Sequence, residues 1–225
     1  MKKFKAIFFD VDDTLVDHKE CEKQALQNIF TKIGVPYENR FQEVFRPIEK
    51  RLWYDRTKTL EEIVLGRFEE LFTALNIPNT DYAAANEYFV EGLAKTRVLF
   101  ADAYDVVSYL HGKGYKLGVV TNGLSILQKQ RILDTPIGKF IDDIIVSEES
   151  GVPKPHPKIF QLLLKRMKLK NTEVIMVGDM LDKDIRGAHS AGMKAVWINR
   201  KNKPNESEII PEYEVKTLSD LKEIF

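Results

Sequence analysis

Cys21 is the one cysteine in 225 residues, so no intramolecular disulfide can form. That suits a reducing compartment, and packing rather than thiol catalysis is its expected role, because no partner residue is indicated beside it. Net charge is missing as well: 34 Lys and Arg balance 34 Asp and Glu. Without a global positive field, neither a nucleic-acid polymer nor an anionic membrane surface is an expected partner, and a small molecule is the default. No apolar run reaches the roughly 18 residues of a transmembrane helix. The amino terminus opens Met1-Lys2-Lys3-Phe4-Lys5, but Asp10, Asp12 and Asp13 interrupt the apolar stretch that follows, so no signal region forms. A cytoplasmic location is therefore expected. Glycine (12) and proline (9) are scarce, and there is no repeat, low-complexity tract or Gly/Ser linker. What remains, 44% hydrophobic and 30% charged residues, is ordinary globular composition. The length lies between one large domain and a domain carrying a substantial insertion.

Short apolar runs ending in polar or glycine-containing turns recur at Ala6 to Phe9, Leu117 to Val120, Ile144 to Val146, Val174 to Val177 and Ala195 to Ile198. Their length suits buried strands, and their lack of alternation suits parallel strands covered on both faces. Helix-sized patterns lie between the later runs, at Asp102 to Lys113, Ser125 to Leu133, Lys158 to Met167 and Asp182 to Ala191. The rhythm predicts an α/β fold, a doubly wound and mostly parallel Rossmann-like sheet, with ligands beyond the carboxyl ends of the strands. Residues 17–97 break that rhythm. They read as amphipathic helices separated near Gly34-Val35-Pro36, Arg56-Thr57-Lys58 and Ile77-Pro78-Asn79, and Leu60 to Leu75 places Ile63, Val64, Phe68, Leu71, Phe72 and Leu75 at helical spacing. The expected organisation is an α/β core formed by residues 1–16 and 98–225, with an α-helical insert over 17–97.

Four polar clusters follow the predicted strands. Asp10-Val11-Asp12-Asp13-Thr14 comes directly after the first, where Asp10 and Asp12 share one side of the chain and repel unless a cation or proton intervenes. A lone Asp-x-Asp is also common in acidic turns. Thr121-Asn122-Gly123 follows the second strand, and a hydroxyl, an amide and free backbone N–H groups could cradle an anion there, although the same residues cap helices and form turns. Gly151-Val152-Pro153-Lys154-Pro155-His156-Pro157 delivers one ammonium from a proline-stiffened loop, with His156 as a loop residue. In Gly178-Asp179-Met180-Leu181-Asp182-Lys183-Asp184, Asp179 sits at a strand tip, Asp184 faces back from the first helical turns, and Asp182 is a solvated or capping residue.

In this order the clusters resemble all four motifs of the haloacid dehalogenase-like (HAD) hydrolase superfamily. They are Asp-x-Asp-x-Thr at Asp10, Asp12 and Thr14, then Thr121, then Lys154, then Gly-Asp-x-x-x-x-Asp at Gly178, Asp179 and Asp184. The resemblance spans nearly the whole chain, with the helical insert as a cap domain. Leu52-Trp53, Gly66-Arg67-Phe68-Glu69, Ser147-Glu148-Glu149 and Lys154-Pro155-His156-Pro157-Lys158-Ile159-Phe160 are similar to the bacterial pyrimidine 5′-nucleotidase subgroup. The resemblance implies a phosphatase in which Asp10 attacks phosphorus and Asp12 acts as acid and then base. Mg²⁺ would be held by Asp10, the Asp12 main-chain carbonyl and Asp179. Thr121, Asn122 and Lys154 would bind the phosphoryl oxygens, with Lys154 also orienting Asp10. Asp184 would hold Lys154 or a water of the metal from behind.

The charges agree with that scheme. Like charges about 4 Å apart cost about 4 kcal/mol per pair at an effective dielectric near 20, so four carboxylates facing a phosphate dianion require a cation. Whether Asp12 carries a proton is left open, because neighbouring carboxylates favour it while Mg²⁺ and Lys154 oppose it. In the insert, packing is expected of Trp53 and surface salt bridging of Arg67, ahead of contact with a substrate. The expected substrate is a small phosphate monoester, foremost a nucleoside 5′-monophosphate. The alternatives are a sugar-phosphate phosphatase or phosphomutase, a metal-free haloacid dehalogenase, and a non-catalytic phospho-aspartate module. Oligomeric state is open between monomer and homodimer.

Overall fold

A computed structural model describes residues 4–55, 57–78 and 81–225, apart from the side chains of Tyr54 and Leu60. Met1 to Lys3, Arg56 and Asn79, which enter the expectations above, lie outside the described residues. The chain forms two compact units, Met1–His18 with Arg97–Phe225, and Lys19–Thr96. Residue 17, expected in the insert, falls with the first unit for a visible reason: Asp17 N–H donates to the Val98 carbonyl at 2.8 Å, and Val16 bridges Leu99. Among the described residues no helix is long and apolar enough to cross a membrane.

The first unit is built on a parallel sheet of β1 (Ala6–Phe9), β2 (Lys116–Thr121), β3 (Asp143–Val146), β4 (Val174–Gly178), β5 (Lys194–Ile198) and β6 (Tyr213–Val215). Their order across the sheet is β3-β2-β1-β4-β5-β6. Five of the strands are the apolar runs anticipated from sequence. Burial of all four residues of β1 and all five of β4 matches their unbroken apolar character, as expected of strands covered on both faces. The short β6 was not anticipated. It has three residues, of which one is buried, and its order comes from pairing with β5 through Val196↔Tyr213 and Ile198↔Val215 rather than from an apolar run.

Among the described residues the α-helices are α1 (His18–Lys32), α2 (Asn39–Tyr54), α3 (Leu60–Ala74), α4 (Tyr82–Lys95), α5 (Ala103–Gly112), α6 (Ser125–Leu133), α7 (Ser147–Ser150), α8 (Pro157–Met167), α9 (Arg186–Ser190) and α10 (Leu221–Ile224). The helix anticipated at Asp182 to Ala191 opens as a π-helical turn over Leu181–Ile185 before α9. On the sheet, Phe8, Met176 and Ala195 join Ile159, Phe160 and Leu163 of α8 in one core cluster. Successive strands run outward from β1 through β2 to β3, then jump back to β4 on the other side of β1. The strand order therefore reverses between β1 and β4, which is where open α/β sheets bind ligands.

The second unit contains α2, α3, α4 and all of α1 beyond His18. A Thr59–Glu62 capping box starts α3, satisfying amides that a helix start leaves without partners. Phe68 and Phe72 of its apolar stripe are fully buried. Phe68 stacks on Phe45 at 5.6 Å and meets Phe89 edge-on at 5.5 Å, so the regularly spaced aromatics form a core. Cys21 is buried and its thiol donates to the Thr96 carbonyl at 3.6 Å, which fits the packing role expected of it.

Candidate active site

Asp10 follows β1 directly, and its N–H donates to the Val177 carbonyl of β4 at 3.0 Å. The ladder thus continues one residue past the strand and holds Asp10 at the switch point, 6% exposed. The chain then folds back: the Val11 carbonyl accepts from the N–H groups of Leu15 and Val16 at 3.0 and 2.9 Å. Asp13 turns this corner with φ at 58°, a left-handed conformation that Asp tolerates better than most residues. The Thr14 carbonyl accepts from Arg200 Nη2 at 3.2 Å.

Lys154 comes from the loop before α8 and is 4% exposed. Its ammonium donates to Asp10 Oδ1 and, at 2.7 Å, to Asp184 Oδ1. Asp184 is buried in the π-helical turn, and its other oxygen accepts from the Met180 N–H at 3.0 Å. Gly178 makes that approach feasible, because a Cβ there would lie 2.5 Å from the Asp184 carboxylate. Asp179 follows β4, and Trp197 Nε1 donates to its carbonyl at 2.9 Å. Carboxylate oxygens of Asp10, Asp179 and Asp184 all lie within 4.8 Å of one another.

Burial raises the Asp10 carboxyl above its ordinary range against the pull of Lys154, and Asp184 and Asp12 push it the same way. Burial likewise raises Asp179, reinforced by Asp184 and Asp10. For Lys154, burial alone would lower the ammonium, but Asp10 and Asp184 outweigh it and hold the group protonated. Three carboxylates thus crowd around one bonded ammonium, closer than they can all ionise without further positive charge.

Asp12 is treated differently. Its Oδ1 pairs with Arg131 Nη1, with His18 Nδ1 3.4 Å away, and its Oδ2 accepts from Gln128 Nε2 at 2.8 Å. Burial would raise this carboxyl, yet Arg131, His18 and Gln128 together hold it well below the usual carboxylate range. In the substrate-free protein these partners favour the ionised form of Asp12.

The Thr121-Asn122-Gly123 segment is partly engaged by the protein itself. Asn122 Oδ1 accepts from the Lys154 N–H at 2.7 Å, and its Nδ2 donates to the Lys154 carbonyl at 3.2 Å. The side chain expected on phosphate thus also fixes the lysine loop. Gly123 N–H donates to Ser147 Oγ at 2.9 Å and Ser125 N–H to Glu148 at 2.8 Å, so those amides are committed too. Thr121, buried at the end of β2, makes only a long 3.4 Å contact to the Asn122 carbonyl, which keeps its hydroxyl suitable for an anion. His156 caps α8, its Nδ1 accepting from the Lys158 N–H at 3.2 Å, while Asp182 is exposed.

In the helical unit two expectations change. Arg67 is buried and bonds Glu49 at 2.8 Å and Asn86 at 2.6 Å rather than lying in a surface salt bridge. Trp53 is 51% exposed rather than packed. Sequence reasoning also missed Gln128, Arg131, Trp197 and Arg200. Gln128 and Arg131 stand three residues apart on α6, but their burial is visible only in the structure, and Trp197 reads only as a strand residue.

The model of the haloacid dehalogenase-like hydrolase family matches residues 4–192. The chain belongs to this family. As a HAD-like hydrolase it is an enzyme, and its relatives span its full length. YfnB of Bacillus subtilis (strain 168), described as a HAD-hydrolase, is 33% identical, with all of this chain and 96% of the relative covered. The crystal structure of YfnB bound to magnesium, described as revealing interdomain movement, matches with a TM-score of 0.91 at 32% identity over 99% of both chains. The pyrimidine 5′-nucleotidase YjjG of Escherichia coli (strain K12) is 30% identical over 99% of this chain and 98% of its own. A glyceraldehyde 3-phosphate phosphatase of Methanopyrus kandleri is 30% identical over 98% and 96%.

Proposed function

We propose that this HAD-like hydrolase is a magnesium-dependent phosphatase that hydrolyses a small phosphate monoester through a phosphoryl-aspartate on Asp10, with a nucleoside 5′-monophosphate as the favoured substrate. The observation that carries the reading is the imbalance at the strand ends, where Asp10, Asp179 and Asp184 gather within 4.8 Å of one another and the Lys154 ammonium pairs with Asp10 and Asp184. An all-oxygen donor set with surplus negative charge suits Mg²⁺, which takes one or two carboxylates and keeps room for a phosphate oxygen. Asp10, Asp179 and the Asp12 carbonyl would hold the ion, leaving Asp184 engaged with Lys154. When bound, Mg²⁺ supplies positive charge that screens the nucleophile from its target and neutralises charge on the transferring group.

The chain's own residues do the rest. Lys154 would orient Asp10 and a phosphoryl oxygen together, and Thr121 would donate to another. An Asp10 oxygen forms a bond to phosphorus as the ester P–O bond breaks, and the departing oxygen takes a proton from Asp12. Arrival of a phosphate dianion raises the Asp12 carboxyl by repulsion, which favours taking up that proton. Asp12, ionised again, removes a proton from the water that attacks phosphorus, and the Asp10 O–P bond breaks to release phosphate. Asn122 is assigned to hold the Lys154 backbone rather than the phosphate. The helical unit, inserted between the Asp12 loop and β2, would serve as a cap that excludes water from these steps. The interdomain movement described for YfnB supports that role.

Substrate choice rests on the likeness to YjjG, and the likeness to the Methanopyrus phosphatase favours sugar phosphates as the second reading. A panel of phosphate monoesters assayed with Mg²⁺ and with EDTA separates the two. Metal-dependent turnover led by UMP, dUMP or dTMP supports the nucleotidase; equal or faster turnover of triose and hexose phosphates overturns it. Turnover undiminished by EDTA overturns the metal requirement.

A further inference from the structure

Asp12 is held from α6 by two side chains, one on each carboxylate oxygen. Arg131 is among the largest fully buried residues, 1% exposed, and pairs with Oδ1. Gln128, also buried, donates from Nε2 to Oδ2 at 2.8 Å and to the Asn122 carbonyl at 3.3 Å. The two stand three residues apart, so one face of α6 presents both. Gly123, at φ 135°, lets that face approach: a Cβ there would lie 3.1 Å from Gln128 Nε2. The Asp12 side chain itself is 31% exposed, and its remaining neighbour, His18 Nδ1 at 3.4 Å, is on Oδ1, so among the described residues only Gln128 fixes Oδ2.

We infer that Gln128 and Arg131 are positioning residues for proton transfer, fixing the plane of the Asp12 carboxylate so that a lone pair on each oxygen stays turned away from α6 and toward the reacting ester. The inference rests on the phosphatase reading above. In the first half-reaction the Asp10 oxygen bonds phosphorus, the P–O ester bond breaks, and the leaving oxygen keeps that electron pair and receives the Asp12 proton. Positioning of Asp12 therefore matters most when the leaving oxygen is a strong base. An alkoxide needs the proton, whereas 2,4-dinitrophenolate leaves without one.

The test compares kcat/KM, which reports steps up to leaving-group departure, for UMP and for 2,4-dinitrophenyl phosphate in saturating Mg²⁺. Arg131→Met and Gln128→Leu should each lower kcat/KM for UMP at least tenfold more than for the aryl ester. Arg131→Lys, which keeps a charge but not the planar fork, should recover only part of the loss. A proportional fall on both substrates would mean that the pair merely supports the fold and would overturn the inference, as would no fall on either. Gln128→Leu removes no buried charge and carries the test alone should Arg131→Met not fold. Wild-type protein that hydrolyses neither ester would overturn the phosphatase reading instead, a result distinct from failure of the positioning role.

Discussion

In the helical unit, buried Arg67 bonds Glu49 and Asn86 and lies over the Phe89 ring at 4.6 Å, while buried Glu22 accepts from Gln42 at 2.8 Å and faces Arg46 at 3.7 Å. At the strand ends of the α/β unit, Asp10 and Asp184 share Lys154, and Asp179 lies within 4.8 Å of both acids. In both places charge is taken out of water, which costs several kcal/mol per ion unless a partner offsets it. In the first, each charge has its complement within the unit. In the second, negative charge exceeds what the bonded cation balances, and the raised Asp10 and Asp179 carboxyls register the excess. Paired burial holds helices together. Surplus negative charge at a strand terminus is what the proposed cation would balance.

That contrast can be broken most forcefully at Asp10. Asp10→Asn should lower kcat by about 10⁴-fold or more, since loss of a covalent nucleophile removes the route itself; substantial residual turnover in steady-state assays would end the covalent mechanism. Asp12→Asn comes next, with a loss of roughly 10² to 10⁴, the usual worth of general acid–base catalysis, and slow turnover remaining. A drop as complete as that of Asp10→Asn would show that Asp12 does more than move protons.

Metal binding should appear in stability as well as in rate. Asp10 and Asp179 titrate above their unfolded values, so the metal-free fold gains from their protonation below about pH 4 and loses that contribution as pH rises through the raised values. Mg²⁺ offsets the loss. Its stabilisation, about 2.7 kcal/mol at a hundredfold excess over Kd, should raise Tm more at pH 8 than at pH 5.5 in differential scanning calorimetry; an equal shift at both would count against a shared metal and carboxylate site. The smallest catalytic effect belongs to the other cluster. Arg67→Met strands Glu49 and should destabilise by about 3 to 5 kcal/mol, yet kcat per folded molecule should change less than about twofold. A large fall in kcat without loss of Tm would move Arg67 from architecture to substrate recognition.

Much of the site was legible because its residues are punctuation. Asp10, Thr121 and Asp179 each come at or just after the end of an unbroken apolar run, and such runs identify buried strands however the chain is later arranged. Helix-period spacing likewise located α3 and its aromatic face. The bonding of Asn122 to the Lys154 loop was not legible, because an amide after a strand can serve a phosphate or a backbone, and that loop lies 32 residues on.

The linear order of amino acids thus determined the parallel α/β sheet, the helical insert and the identity of the acids at the strand tips, because hydrophobic period and strand termini are local properties. Tertiary structure alone decided how those acids divide. Asp10, Asp179 and Asp184 converge, while Asp12 is held by Arg131 and Gln128, more than a hundred residues away. The physical reason is that a carboxylate's charge state and direction are set by whatever donors surround it in space, and the order of residues along a chain does not specify those neighbours.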